Sequence, residues 1–423
     1  MISKRRHLQR GVREDKLYNR YFSITNYSGV TNISPYTTED SQAAVLQISR
    51  DRQTWTVLDN TVSISHGAKV FLKSQSSDAR LYKYPNFKIT GGSAGVGGNL
   101  LSLCYGSNIG ILDKNDTYYQ QWGESYTKDY FKKLFNRYDN PYNEIVANST
   151  IKSSRFLLLP LKTTPTNGYE GMFNNCTSLI NTPIIKAEKV ESEGMAFMFF
   201  NCTSLTKPAV LKVKNVSSNG MARMYEKCES LNIEFGEPFI LPTVVTDQSC
   251  YRMFADCSNL SIAPIMPAPE IIHWCYKDMF ENCVKLQTVI TGATNAYGNN
   301  GSQWLEDSEG FSGWLNGAGT EVDNKKIAFG MLKEASGHQW QHDIEYGNGV
   351  IYDGDCVPSG WSLTVNFNML EETGTYGQNM SSVVNGFYNE SKVDIYKYDI
   401  HGYNYDYLYR DDRYRALRIW NYY

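Results

Sequence analysis

The sequence lacks long apolar runs. No stretch of roughly 18 consecutive apolar residues occurs in the 423-residue chain, so it predicts no membrane-spanning helix and no insertion into a membrane. The basic segment 1–10 is not followed by an apolar stretch of signal-peptide length. We therefore expect that a role outside the cell would not depend on ordinary secretion.

A strong excess of either charge is also missing. The chain holds 41 Lys and Arg residues against 44 Asp and Glu residues, which gives a formal net charge of -3. Proteins that bind nucleic acid through its phosphates usually carry a basic excess. The composition therefore gives no support for a nucleic-acid partner.

Motifs for metals and phosphates are absent as well. None of the nine cysteines forms a Cys-x-x-Cys pair of the zinc-binding type. The Gly-rich segment 91–98 lacks the Gly-Lys-Ser/Thr ending of a phosphate loop, so we expect a flexible or turning connection there. His338 and His342 lie four residues apart beside Asp343, which leaves a metal-dependent enzyme as a minor alternative. We expect no cofactor, no bound metal and no catalytic residue.

What the sequence does contain is a repeat. The pattern Met-aromatic-x-x-Cys-x-x-Leu occurs five times, and the successive steps measure 26, 26, 29 and 26 residues. A fixed period of about 20 to 29 residues with Leu is the signature of leucine-rich repeats. The copies begin at Met172, Met198, Met224, Met253 and Met279.

Each copy predicts a short helix followed by a strand. Apolar residues at Met, at the next position and at the Cys four residues on fit one face of a helix of about two turns. Asn167, Ser192, Ser217 and Asp247 stand ahead of four copies, where their side chains are expected to cap the helices. Pro-containing extended stretches such as residues 182–185 follow the Leu and predict strands.

Stacking of such units predicts an α/β leucine-rich-repeat solenoid with parallel strands on one side and short helices on the other. The repeated Cys is expected to form an internal column of buried, reduced thiols that pack as small hydrophobic side chains. Extra residues around 234–237 predict a small bulge loop in the longer step.

The segments around the repeat complete the predicted organisation. Residues 44–48, 55–58 and 69–72 alternate with turn residues and predict the strands of a small β domain. We expect a basic N-terminal arm over residues 1–40, the small β domain over 41–106, a connecting or N-cap region over 107–153, the solenoid over 154–292, its C-terminal cap over 293–362 and a tyrosine-rich, β-rich region over 363–423.

Tyrosines alternate with other residues near the C-terminus, which predicts a strand with one tyrosine-rich face. That face is expected either to mediate assembly or to cover its own domain. The candidate assembly contacts, in the basic arm and the tyrosine tail, are Arg5, Arg6, Arg10, Tyr403, Tyr405, Tyr407 and Tyr409.

The chain resembles the BspA-like leucine-rich-repeat family of gut Bacteroides-type bacteria and their tailed phages. The likeness rests on Cys-Tyr-x-x-Met-Phe-x-x-Cys-x-x-Leu at residues 275–286 and Ala-Pro-x-x-Pro-Ala at residues 263–268, and it covers roughly residues 44–362. Further matching segments are residues 49–55, 98–106 and 357–361. Members are mainly adhesive or interaction proteins, so the resemblance implies no catalytic residue.

The expected function is therefore non-enzymatic binding or structural support. Because the family occurs in phages and no signal peptide is evident, we expect a virion component of a tailed phage, such as a fibre, spike or decoration protein, assembled as a homo-oligomer. A bacterial cell-surface adhesin is the alternative. The expected partners are other virion proteins and a host-surface protein or glycan.

The binding surface is expected on residues that point away from the stack, around the repeated Cys. Trp274 and Tyr276 are included, although packing in the core or cap is the alternative for both. The candidates are Lys207, Glu229, Asn259, Lys285, Trp274 and Tyr276.

Overall fold

The computed structural model of the chain consists almost entirely of strands and tight turns. It describes residues 20–35, 44–76, 85, 87–107, 131–135, 148–233, 239–268, 271, 273–291, 310–329, 358–363, 395–396 and 416–417. The helix of this part is a single turn, α1 (Ser102–Tyr105). The strands are β1 (Phe22–Pro35), β2 (Leu46–Ser49), β3 (Thr56–Val57), β4 (Val62–Ile64), β5 (Lys69–Ser74), β6 (Phe87–Asn99), β7 (Ile151–Leu159), β8 (Thr163–Thr164), β9 (Ile184–Ile185), β10 (Lys189–Val190), β11 (Asn215–Val216), β12 (Ile262–Met266), β13 (Thr288–Thr291), β14 (Lys325–Phe329), β15 (Trp361–Leu363), β16 (Ile395–Tyr396) and β17 (Ala416–Leu417).

An eight-stranded mixed sheet forms the N-terminal part. Its order is β3-β2-β5-β1-β6-β7-β9, with β4 paired to β1. The strands β2, β3 and β5 overlap the three strands predicted between residues 44 and 72. Because β6 runs parallel to β7 and β7 parallel to β9, the sheet passes without a break from the N-terminal strands into the first repeats.

Two segments that the sequence placed outside this sheet belong to it. β1 lies at its centre between β5 and β6, so residues 22–35 are not part of an arm. The Gly-rich segment 91–98 lies within β6 and is not a flexible connection. Glycine is required at Gly98, where φ is +83° and a Cβ atom would lie 2.0 Å from the Tyr21 carbonyl oxygen.

The predicted helix in each repeat is wrong, because the same residues form a ribbon of successive turns. In the first copy the amide of Cys176 donates to the Phe173 carbonyl three residues back at 2.9 Å, whereas that of Phe173 donates to Met198 of the next repeat, also at 2.9 Å. An α-helix would direct both amides to carbonyls four residues back. We call these segments turn ribbons; they cover residues 167–175, 193–201, 219–227, 248–256 and 274–282.

A left-handed residue at every fourth position gives each turn ribbon its shape. In the first one, φ is +55° at Asn167, +56° at Gly171 and +57° at Asn175. Helical backbone needs φ near about −63° at every residue, so no helix can continue through these positions. Gly and Asn adopt the left-handed conformation at the lowest cost, which explains their recurrence there. Asn167, predicted as a helix cap, is thus a left-handed turn residue.

The hydrophobic pattern fits a helix and a turn ribbon equally well, and for this reason it predicted a helix incorrectly. The buried positions Tyr169, Met172, Phe173 and Cys176 satisfy a 3.6-residue period, but they satisfy a four-residue period equally well. In the turn ribbon, alternate amides donate to carbonyls of the next repeat. A helix could not form these hydrogen bonds, because it uses its amides internally. The backbone of the array is therefore hydrogen-bonded between units and not only within them.

The array begins earlier than the predicted boundary at residue 154. Residues 131–135 form a partial turn ribbon, in which φ is +53° at Lys133. The Lys133 amide donates to the Glu170 carbonyl at 2.8 Å, and the Phe135 amide donates to that of Met172 at 3.1 Å. This segment, assigned to the connecting region, therefore lies in the position of a preceding repeat.

The array also continues beyond residue 292. Residues 310–317 form another turn ribbon, since the amides of Phe280 and Asn282 donate to the carbonyls of Trp314 and Asn316, both at 2.8 Å. Trp314 takes the place of the repeated Met, and Ala318 that of the repeated Cys. Within the predicted C-terminal cap, the described residues 310–318 therefore form a degenerate repeat.

Short parallel strands connect the turn ribbons. β8, β10 and β11 form one parallel sheet along the array, and β12, β13, β14 and β15 form another. The predicted parallel stacking is therefore present, but the described residues outside these strands form turn ribbons where the helices were predicted.

A stack of aromatic rings runs through the core. Each repeat contributes the ring after Met, and neighbouring rings lie nearly parallel: Phe173 and Phe199 have centroids 5.5 Å apart, and Phe199 and Tyr225 have centroids 5.3 Å apart. Phe135 extends the stack at one end, 4.8 Å from Phe173. Such pairs add about 0.5–1.5 kcal/mol each beyond the burial of their area.

The repeated cysteines form hydrogen bonds as well as filling space. The Sγ atoms of Cys202 and Cys228 donate to the carbonyls of Phe173 and Phe199 in the preceding repeats, at 3.2 and 3.1 Å. Cys257 and Cys283 do the same. All eight cysteines in the described part are buried and free of disulfides.

Several predicted features lie outside the described residues. They are the bulge loop at 234–237, the arm up to residue 19, the histidines His338 and His342, and the alternating tyrosines from Tyr403 to Tyr409. In the C-terminal region the structure describes the pairing of β16 with β17.

Candidate functional site

The candidate residues on the array do not form one site. Lys207, Glu229 and Lys285 are exposed, and the Lys285 ammonium donates to the side chain of Asn259 at 3.2 Å. Tyr276 has no exposed surface, so it packs in the core and cannot contribute to an external surface. These residues therefore lie at separate positions along the stack.

Trp274 is half-buried and already engaged. Its ring stacks on His273 with centroids 4.4 Å apart, and the Lys277 ammonium lies 4.2 Å from its centroid. His273 Nδ1 lies 2.6 Å from Asp247 Oδ1. This group ties the fourth turn ribbon to the fifth.

Charged residues on the turn ribbons brace the array. Glu226 is 1% exposed and pairs with Arg223 of its own ribbon, while Arg252 of the next ribbon lies 3.4 Å from it. Arg252 also pairs with Glu281 one ribbon further on. These charges are compensated by one another, so the network connects repeats.

A cavity of about 670 Å³ lies at a different place, where the N-terminal sheet meets the first strand of the array. Residues of β1, β5, β6 and β7 line it, together with the loop after β2. The parallel pairing of β6 with β7 creates this junction. The cavity therefore depends on both parts of the molecule.

Glycine backbone and aromatic rings form its apolar lining. A Cβ atom on Gly97 would lie 3.2 Å from the Phe156 Cβ atom, so a side chain at this position of β6 would crowd Phe156. Phe71 from β5 and Tyr21 ahead of β1 add two further rings. All three rings are half-buried.

Three cations, Arg20, Arg52 and Lys69, share the cavity lining. The Arg52 guanidinium lies 5.3 Å and the Lys69 ammonium 5.4 Å from the centroid of the Phe71 ring. Burial lowers the pKa of Lys69, and the neighbouring charges of Arg20 and Arg52 lower it further. Among the described residues, no carboxylate forms a salt bridge with any of the three.

The one acidic residue of the lining, Asp51, holds the loop that carries Arg52. Its Oδ1 atom accepts hydrogen bonds from the Gln53 and Thr54 amides, both at 2.8 Å, and from the Ser49 hydroxyl at 2.9 Å. These bonds lower the pKa of Asp51 to about 2, the Gln53 amide contributing most. Such a carboxylate is a poor general base, because it binds a proton weakly.

A second cluster extends the lining at Tyr21. The ring of Trp55 meets the Tyr21 ring edge-on with centroids 4.9 Å apart, and the Lys73 ammonium lies 4.4 Å from the Trp55 centroid. That ammonium also donates to the Ser107 hydroxyl at 2.8 Å. Cations packed against rings thus continue beyond the cavity.

Sequence reasoning missed this site, although it noted both of its halves. The segment 49–55 and the Gly-rich segment 91–98 each attracted attention separately, but only the pairing of β1, β5, β6 and β7 brings them together. A useful signal would have been the clustering of Arg, Lys and aromatic residues in strands that are not part of the repeat.

Within the described ranges, no three His, Cys, Asp or Glu side chains are grouped to hold a metal ion. In the same part of the chain, no helix is long and apolar enough to span a membrane. No family model, curated protein or solved structure matches the chain.

Proposed function

We propose that this chain is a non-enzymatic binding and structural protein, and that it serves as a virion component of a tailed phage. The repeat array acts as a stiff support, and the cavity beside it recognises a ligand. Partners would be other virion proteins and a molecule on the host surface.

The lining of the cavity is the observation that carries the binding role. Three exposed cations and three half-buried rings line a cleft of about 670 Å³ that is open to solvent, and this volume is within the range typical of small-ligand sites. Its one carboxylate, Asp51, is already engaged by three donors. Cations and rings of this kind can hold an anionic ligand in place.

The supporting role rests on the bonds between repeats. Alternate amides of every turn ribbon donate to the next repeat, the repeated thiols donate to the preceding one, and the ring stack joins the same units. Bending the array would break several of these contacts at once. Repeat arrays of this kind present an extended surface at a fixed spacing.

Location on a phage particle is supported by the resemblance to BspA-like repeats, which occur in tailed phages. Electron microscopy of purified particles labelled with antibody against this chain tests it, with particles that lack the gene as the control. We expect label at a regular position on each particle. Label confined to the bacterial envelope would contradict the proposal and favour the adhesin.

A further inference from the structure

We propose that the cavity between β1, β5, β6 and β7 binds an acidic saccharide, with Arg20, Arg52 and Lys69 holding its carboxylate or sulfate group. This inference rests on the proposed binding function and specifies its ligand. It concerns a site outside the repeat, where none of the candidate residues from the sequence lies.

The charge of the lining points to an anion. The three cations converge on one space, and within the described part of the chain none of them is neutralised by a carboxylate. Arg52 and Lys69 instead pack against the Phe71 ring, which fixes their positions without compensating their charge. An anion entering the cavity would relieve their mutual repulsion and form charge-assisted hydrogen bonds.

The shape of the lining points to a saccharide. The rings of Tyr21, Phe71 and Phe156 give the lining apolar surface beside its three cations. About 670 Å³ suits one or two sugar units. A protein partner would need roughly 800 Å² of contact on each side, and a nucleic-acid strand would need an extended basic groove.

Calorimetric titration of the purified full chain tests the proposal. The probes are trigalacturonate as the carboxylated sugar, a sulfated chondroitin disaccharide, and maltotriose as the neutral control. We expect both acidic sugars to bind, with affinities that fall as salt is raised, and no heat from maltotriose. The stronger of the two acidic probes identifies the anionic group.

Two variants connect the binding to the cavity. Lys69→Met keeps the stem that packs on Phe71, and Arg52→Gln removes the second charge; each is expected to weaken binding about tenfold or more, as for loss of a charge-assisted hydrogen bond. Lys152→Met is the matched control. It removes one positive charge from an exposed residue of β7 that does not line the cavity, and it should leave the affinity within about twofold. Circular dichroism checks that all three variants fold alike.

The proposal is overturned if maltotriose binds as tightly as the acidic sugars, if none of the sugars binds, or if Lys152→Met weakens binding as much as Lys69→Met. Tighter binding of a single-stranded oligonucleotide or of polyaspartate would also overturn it. Particle labelling is independent of these results, so failure of the ligand assignment is distinguishable from failure of the virion role.

Discussion

The repeat array and the N-terminal sheet use the same kinds of side chain in different ways. In the array, charged residues compensate one another across repeats, as Arg252 does with Glu226 and Glu281. At the cavity, Arg52 and Lys69 face a common space and are held by a ring instead of a carboxylate. Compensated charges stabilise a scaffold, whereas uncompensated charges are available to a ligand.

This difference shows where sequence repetition is informative. A residue that recurs every 26 positions meets its own equivalent in the neighbouring repeat, as Phe199 meets Phe173 and Tyr225, so it is selected for stacking. The cavity residues have no equivalents along the chain. The proposed ligand site therefore lies in a part of the chain that does not repeat.

The largest expected effect is on the stability of the repeat array. Phe199→Ala should lower the free energy of unfolding by about 3–5 kcal/mol, because it removes a fully buried ring that stacks on both neighbours. Urea unfolding measures the loss. Phe200→Ala is the control, since this half-exposed ring contacts Arg223 outside the stack and should cost only about 1 kcal/mol. Equal losses would show that the stack has no special role.

The next effect concerns the compensated charges. Arg223→Met removes the nearer partner of the buried Glu226 and leaves Arg252 at 3.4 Å. We expect a loss of roughly 2 kcal/mol in urea unfolding, below the roughly 3–5 kcal/mol for a buried charge that loses its only partner. Lys227→Met, at the next left-handed position, should change stability by less than about 0.5 kcal/mol. If Arg223→Met also lowered the free energy of unfolding by less than about 0.5 kcal/mol, the charge network would not stabilise the array.

Much of the array was predictable, and the error in it has a clear cause. The period, the parallel stacking and the buried thiols follow from residues that recur, such as Cys202 and Cys228. The conformation of the segment that carries Met and Cys does not follow from this pattern. Apolar positions at i, i+3, i+4 and i+7 fit a helix and a four-residue turn ribbon alike, so the predicted helix was wrong. A signal against a helix was present in the first copy, where Asn167, Gly171 and Asn175 stand four residues apart and are unfavourable in a helix. The later copies carry this signal only in part, because Glu, Phe, Arg, Lys, Gln and Trp also occupy their left-handed positions.

The cavity could not be predicted in the same way. Its lining comes from residues as distant as Arg20 and Phe156, and no local pattern encodes the sheet order that joins them. The Gly-rich segment 91–98 looked like a connection because glycine weakens strands, yet here it makes room for neighbouring side chains and backbone. Long-range pairing, and not composition, decides such sites.

A smaller effect tests the role of the thiols. Cys202→Ala should lower the free energy of unfolding by about 0.5–1.5 kcal/mol more than Cys176→Ala does. Of these two thiols, only that of Cys202 donates to a carbonyl among the described residues, namely that of Phe173. Burial raises the thiol pKa of both cysteines above its ordinary value, so neither should react with iodoacetamide at pH 8 until the chain unfolds. Equal costs for the two variants would mean that the thiols only fill space.

The smallest effect concerns the loop at the cavity. The pKa of Asp51 is about 2 in the folded chain against its usual value of 3.8, so its carboxylate supports the loop above pH 4 and loses this effect as the pH falls toward 2. The amide proton shifts of Gln53 and Thr54, followed by NMR, should titrate with a midpoint near 2.

Asp51→Ala should abolish that titration and weaken binding of an acidic sugar, because no side-chain oxygen then accepts from the Gln53 and Thr54 amides and the loop no longer fixes Arg52, while the unfolding of the array stays unchanged. A matching loss of array stability would show that the loop supports the fold generally. The repeat array and the cavity would then not be independent, since Asp51 would contribute to the stability of the one and to ligand binding at the other.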